Sequence, residues 1–212
     1  MKKQYLLSFI IVVVGVSLFA FMPTEEQASK SLDELAIGAK VPLADVEMQD
    51  VSGKALTLKD VAKSNGLLVN FSCNTCPWVE AWEDRYNPVA GLAKQHNIGV
   101  IALNPNAAIR GEGESLQDMK ERASAKGYEF YYALDEGAKL AEAFGATRTP
   151  HIFLFNSDME LVYKGAIDDN AKSAEDVENP YLKNAIKNLA AGDKIEPQAT
   201  KSLGCTIKWP EE

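Results

Sequence analysis

A chain of 212 residues with a formal charge of −8 and 46% hydrophobic side chains can bury the core of one ordinary domain and still carry extensions. Its negative balance argues against nucleic acid or an anionic membrane surface as a partner. Residues 1–22 sharpen that point, because they hold two lysines (Lys2, Lys3) and no acidic residue. They read as an export signal: the lysines, then an apolar run from Tyr5 to Met22. As a helix that run spans roughly 27 Å, marginal for a hydrocarbon core of about 30 Å. Leu18 stands where a cleavage site wants a small residue, so a cleaved signal and a retained membrane tether both stay open. Either places the domain outside the cytoplasm, periplasmic or equivalent, where disulfides persist.

The elements follow in chain order. Pro23 to Lys40 is polar and reads as a tether with a short helix over Ser31 to Ala36. Val41 to Leu58 holds two short strands around the turn Val51-Ser52-Gly53-Lys54. Leu67 to Phe71 is a buried strand by its continuous apolar run. Asn74 to Gln95 is helical in pattern, with a kink expected at Pro88. Gly99 to Asn104 is a strand, followed by a polar loop to Glu114. Ser115 and Asp118 form a capping pattern for a helix to about Lys126. Tyr128 to Leu134 is extended, and Asp135 to Phe144 is a helix stopped by Gly145. Ile152 to Phe155 and Leu161 to Tyr163 form an antiparallel hairpin, and a last helix runs from Pro180 to Ala190. The divisions are 1–22 for the signal or anchor, 23–36 for a linker, 37–192 for the main domain and 193–212 for a C-terminal extension. Together they predict a mixed α/β sheet with helices on both faces.

The chemistry is carried by Cys73-Asn74-Thr75-Cys76-Pro77, placed where a strand ends and a helix begins. A Cys-x-x-Cys at such a junction reads as a redox pair. Residues at i and i+3 on a helix lie within the separation that a disulfide accepts. The sulfur at the helix start gains from free backbone amides and the positive end of the dipole, so Cys73 is expected to attack and Cys76 to resolve. Structural zinc is disfavoured, because no second Cys-x-x-Cys and no closely spaced histidine pair is present. No metal and no cofactor is expected.

A second signal is Thr149-Pro150-His151, entering a short strand where proline is awkward. A cis bond there would remove the conflict. Three cysteines leave Cys205 over. It could resolve a disulfide from Cys73, pair with another chain, or be a buried inert thiol. His151 is either a packed strand residue or a proton shuttle. Asp168 and Asp169 read as a turn that caps backbone amides rather than a paired-carboxylate site. Glu80 and Glu83 read as a wet helix face, and Trp78 and Trp82 as core or site rim.

Asn70-Phe71-Ser72-Cys73-Asn74-Thr75-Cys76-Pro77, the stretch from Tyr131 to Pro150, Tyr163 to Asn170, and Gly204-Cys205-Thr206-Ile207-Lys208-Trp209 together resemble the thioredoxin-like redoxin (alkyl hydroperoxide reductase/thiol-specific antioxidant-like) superfamily. The likeness extends to a subgroup with a Cys-Asn-x-Cys-Pro site. It implies a thioredoxin-like α/β fold: a central mixed sheet flanked by helices, with an N-terminal β-hairpin extension. It also implies that Pro150 is a cis-proline facing the cysteines, that backbone beside it pairs with an extended substrate, and that Cys205 belongs to a recurring C-terminal motif. Three departures stand out. No Thr-x-x-Cys precedes Cys73, Ser72 stands where many thioredoxins have tryptophan, and His151 follows the proline where an acid is expected.

The resulting expectation is an extracytoplasmic thiol–disulfide oxidoreductase acting on protein thiols and disulfides, with an unidentified electron donor or acceptor. Peroxide reduction through Cys73 is a second reading. Copper handling by Cys73, Cys76 and His151 is a third, because two thiolates and an imidazole suit a soft cation.

Overall fold

The computed structural model describes residues 32–211. The apolar N-terminal run and the first part of the tether lie outside the described residues. Strands β1 (Met48–Gln49) and β2 (Ala55–Leu56) form an antiparallel hairpin. Thr57 then caps α1 (Leu58–Val61), its hydroxyl accepting from the Asp60 amide while the Asp60 carboxylate accepts from the Thr57 amide. Strand β3 (Gly66–Phe71) is buried at every position, as a strand with both faces covered must be.

After the Cys-x-x-Cys loop come α2 (Pro77–Trp82), a 3-10 turn (Glu83–Arg85) and α3 (Tyr86–Gln95). The single helix expected here is thus divided. The division falls just before Pro88, whose ring would crowd the Asp84 carbonyl in an unbroken helix. Strand β4 (Ile98–Asn104) leads through a loop to α4 (Leu116–Lys126), which has the expected Ser115–Asp118 capping box. Then come β5 (Tyr131–Leu134), a 3-10 turn (Glu136–Ala138) and α5 (Lys139–Phe144). Strands β6 (Arg148–Thr149), β7 (His151–Phe155) and β8 (Leu161–Gly165) follow, then α6 (Tyr181–Ala191) and β9 (Cys205–Thr206).

Five strands make the central sheet in the order β5-β4-β3-β7-β8. Strands β3, β4 and β5 run parallel, while β7 is antiparallel to β3 and to β8. Side chains alternate between two apolar layers. Val69, Phe71, Phe153 and Phe155 pack with Phe144 on one face. Leu68, Ile152 and Leu154 pack with Val79, Trp82, Tyr86 and Ile186 on the other, and Cys73 and Cys76 belong to that second layer.

Two segments depart from their sequence reading. No helix forms over residues 32–36. The stretch is docked instead: the Leu35 amide donates to Phe144 O, and Val41 and Gly38 reach Met159 and Leu161 beside β8. At the other end, residues 193–211 wrap back over the domain. Backbone bonds join Lys164 to Gln198 and Thr200, and Ile207 is buried in the core. The short pair β6–β9, unmarked by any local pattern, carries Cys205 to the site.

Candidate active site around Thr149

Three sulfurs and one threonine define the site. Strand β3 ends at Phe71, and the Ser72 amide still bonds Leu103 O of the neighbouring strand, which fixes where the loop departs. Cys73 Sγ lies 3.1 Å from Thr149 Oγ1. Cys76 Sγ lies 3.2 Å from the Thr149 carbonyl oxygen. The Thr149–Pro150 bond is cis, as the resemblance implies. Across the β6–β9 pair, Cys205 stands opposite Thr149 in register, and Cys76 and Cys205 are joined as a disulfide with Cα atoms 6.1 Å apart. Cys73 is the free thiol.

This differs from the Cys73–Cys76 bond that spacing suggested. The reason is topological: the β9 register fixes Cys205 beside Thr149, within reach of Cys76, and nothing local in the sequence encodes that pairing. The helix start also differs. Cys76 is the N-cap of α2 and Pro77 its first residue, so Cys73 lies ahead of the helix rather than on its first turn.

The amides of Asn74 and Thr75 do not serve the Cys73 sulfur either. Both donate to the Glu114 carboxylate, at 2.8 Å and 3.0 Å, and the Thr75 hydroxyl adds a third bond at 2.7 Å. Glu114 is completely buried and also accepts from Asn104 Nδ2 at 2.6 Å and Asn106 Nδ2 at 3.3 Å. Asn74 is held on every side: its side-chain amide donates to Gly113 O, Tyr132 OH donates to its Oδ1, and Arg122 donates to its carbonyl. Arg110 braces the far side of the cradle through Asn104 and Asp135.

The electrostatic result is a quiet thiol. Burial first, and the Glu114 charge second, push Cys73 up to about 11, against smaller lowering effects from Thr149, the Cys76 amide and Arg122. At pH 7 that leaves a thiolate fraction of roughly one in ten thousand. In this disulfide form Cys73 is poised by geometry and restrained by its surroundings.

The other sequence candidates are spread out. His151 packs on Phe153 on the sheet face that Phe71 shares, away from the cysteines, and its Nε2 lies 3.7 Å from Glu34. Burial holds its pKa down to about 4. The Cys73, Cys76 and His151 set considered for a soft cation is therefore not brought together. Among the described residues no three His, Cys, Asp or Glu side chains gather in metal-holding geometry. Asp169 caps the amides of Glu178 and Asn179, as expected of a turn. Asp168 accepts from Trp82 Nε1 and pairs with the buried Arg85. Trp82 is core and Trp78 is exposed. Glu83 corrects the wet-face reading: it is buried, paired with Arg122 and Lys126 and bonded by Tyr128 OH.

Sequence reasoning missed Glu114. It sits in a polar loop among glycines, where an acid ordinarily faces water, and no local pattern separates it from Glu112. The odd count and the Gly204-to-Trp209 motif do mark Cys205, but none of its three sequence readings joins it to Cys76, and the disulfide within the chain overturns the inert-thiol and other-chain readings.

Residues 37–164, more than half of the chain, match the AhpC/TSA family. The thiol-disulfide oxidoreductase ResA of Halalkalibacterium halodurans is 22% identical over 161 residues, spanning 76% of this chain and 85% of that protein. An uncharacterized conserved protein from Geobacillus kaustophilus superposes with a TM-score of 0.78 at 27% identity, over 85% of this chain and 95% of that one. A hypothetical protein from Sinorhizobium meliloti 1021 gives 0.77 at 31% identity, over 85% and 98%. With its mixed five-stranded sheet and its cysteines gathered at a cis-proline, this chain is a thioredoxin-like member of the AhpC/TSA family.

Proposed function

We propose that the chain is an extracytoplasmic thiol–disulfide oxidoreductase that works on protein substrates through Cys73 and Cys76. The observation that carries this reading is the convergence on Thr149: both loop sulfurs lie within 3.2 Å of one residue, beside the cis-proline. In the proposed reaction a Cys73 thiolate attacks a substrate disulfide, and Cys76 then attacks the mixed disulfide at Cys73 and expels the second substrate thiol. Once free of Cys205, the Cys76 thiol can donate to the Thr149 carbonyl. The likeness to ResA, a protein named for thiol–disulfide chemistry, supports the same reading. The apolar run behind Lys2 and Lys3 supports a site outside the cytoplasm.

Peroxide reduction has less support, because Asn70-Phe71-Ser72 lacks the threonine that would face a peroxide. Insulin reduction with a dithiol donor tests the main reading. Turnover is expected from the wild type and lost in Cys73→Ser and in Cys76→Ser. Wild-type turnover at the rate of free dithiol, or full turnover in both variants, contradicts it. Fusing residues 1–22 to a phosphatase that is active only after export tests the location. An inactive reporter argues for the cytoplasm.

A further inference from the structure

The thiol–disulfide reading meets an obstacle in the structure. Cys73 and Cys76 are 1% and 4% exposed, and β9 lies along the Thr149 backbone beside them. A substrate chain approaching this edge finds it already occupied.

We infer that Cys205 is a third redox residue of the site, and that β9 stands where a substrate chain would lie: the Cys76–Cys205 bond is an internal disulfide that the Cys73 sulfur opens, with Cys73 the attacking sulfur as it is toward a substrate disulfide. The inference rests on the function proposed above and extends it to the regulation of the same site. The Thr149–Cys205 and Arg148–Thr206 pairs and the bond from the Ile207 amide to Thr147 O reproduce an added antiparallel strand. Such an edge, if uncovered, presents unpaired amides and carbonyls that template an extended peptide. Arg148 Nη1 also donates to Gly204 O. Gly204 is required by close approach, since a Cβ there would meet Thr149 O at 2.3 Å and its carbonyl carbon at 2.6 Å. Cys205 itself is half-buried, more open than either loop cysteine.

The exchange balances without any external reagent. Cys73 gives up its proton to water, and its sulfur attacks Cys76 Sγ. The Cys73–Cys76 bond forms as the Cys76–Cys205 bond breaks, and the electron pair leaves on Cys205, which takes up a proton. One disulfide and one thiol are present before and after. The segment stays anchored on both sides of Cys205: Thr200 bonds Lys164 O and Ala166 N, and Lys208 bonds Asn106. Cys205 therefore remains at an effective concentration of roughly millimolar or more, and re-closure competes with incoming substrate.

The test is disulfide mapping of the oxidised full-length protein. It is incubated between pH 6 and pH 9, acid-quenched, alkylated at its free thiol and digested without reductant. Both the Cys76–Cys205 and the Cys73–Cys76 peptides are expected, with exchange accelerating about tenfold per pH unit, as a thiolate nucleophile requires. Gly204→Ala is expected to shift the ratio about tenfold toward Cys73–Cys76, because the added methyl pushes β9 off Thr149. Finding Cys73–Cys76 alone, with Cys205 always alkylated, overturns the inference. So does Cys76–Cys205 alone with no exchange at any pH, or an unchanged ratio in Gly204→Ala. Mapping uses no substrate, so a failure of insulin turnover with exchange intact sinks the proposed function and leaves the role of Cys205 standing.

Discussion

Two short segments meet at Thr149, and they are held in opposite ways. The Cys73-to-Cys76 loop is fixed by a buried charge, with Glu114 accepting five hydrogen bonds beneath it. The Cys205 segment is fixed by a two-residue ladder and by a glycine small enough to touch the Thr149 backbone. A buried carboxylate with five donors tolerates little change, because each donor left unpaired costs desolvation energy. A short edge pair costs little to break. The loop should therefore respond to mutation as part of the fold, and the C-terminal segment as part of the chemistry.

The largest effect should come from the sulfur that both segments share. Cys76→Ala removes the partner of Cys205 and the resolving thiol together, and insulin turnover should fall by more than about a hundredfold, while urea unfolding of both proteins in dithiol, where neither holds a disulfide, checks that the fold is kept. A variant that retains turnover would detach Cys76 from the reaction. Next is the loop's foundation. Glu114→Ala should cost about 3 kcal/mol in urea unfolding, since it strands the amides of Asn74 and Thr75. A loss within the ordinary surface range would mean that the cradle is not what holds the loop.

The face that carries His151 offers a contrast outside the site. Burial keeps the imidazole at about 4, below the unfolded value of 6.5. As pH falls, the unfolded chain binds the proton first, so the folded state should lose up to about 3 kcal/mol between pH 6.5 and pH 4. Above pH 6.5 the group contributes no slope. Asp135, raised to about 6 by its burial, slopes the opposite way, losing stability as pH rises toward 6. That contribution is common to wild type and His151→Phe and cancels in their difference. His151→Phe should flatten the acid limb while leaving insulin turnover intact. A parallel loss of turnover would restore His151 to the site.

The smallest effects are a matched pair on Cys73. Glu114→Gln removes a negative charge and should lower the pH midpoint of Cys73 alkylation. Thr149→Val removes a hydrogen bond that favours the thiolate and should raise it. Shifts of the same sign in both would contradict the charge assignment.

Much of this fold is legible because its signals are local. The Ser115–Asp118 box, the buried run of β3 and the β7–β8 hairpin each follow from residues close in sequence. Pro88 also announces a break between α2 and α3, although the steric conflict places it earlier than the proline itself. The Cys-x-x-Cys and the Thr-Pro could be read in the same way. What stayed hidden depends on contacts distant in sequence. Glu114 lies about forty residues from the amides it holds, and Cys205 lies 129 residues from Cys76. His151 looked like a neighbour of the cysteines because it adjoins Pro150. The pleat of β7 turns it to the opposite face, a consequence of the period of two.

The most direct test of the account leaves Cys73 as the sole cysteine. A Cys76→Ser, Cys205→Ser chain mixed with an oxidised protein substrate is predicted to form one covalent adduct per chain, at Cys73, released by dithiol reductant. A chain that forms no adduct, while Cys73 is still alkylated in urea, would contradict the claim that this thiol attacks protein disulfides.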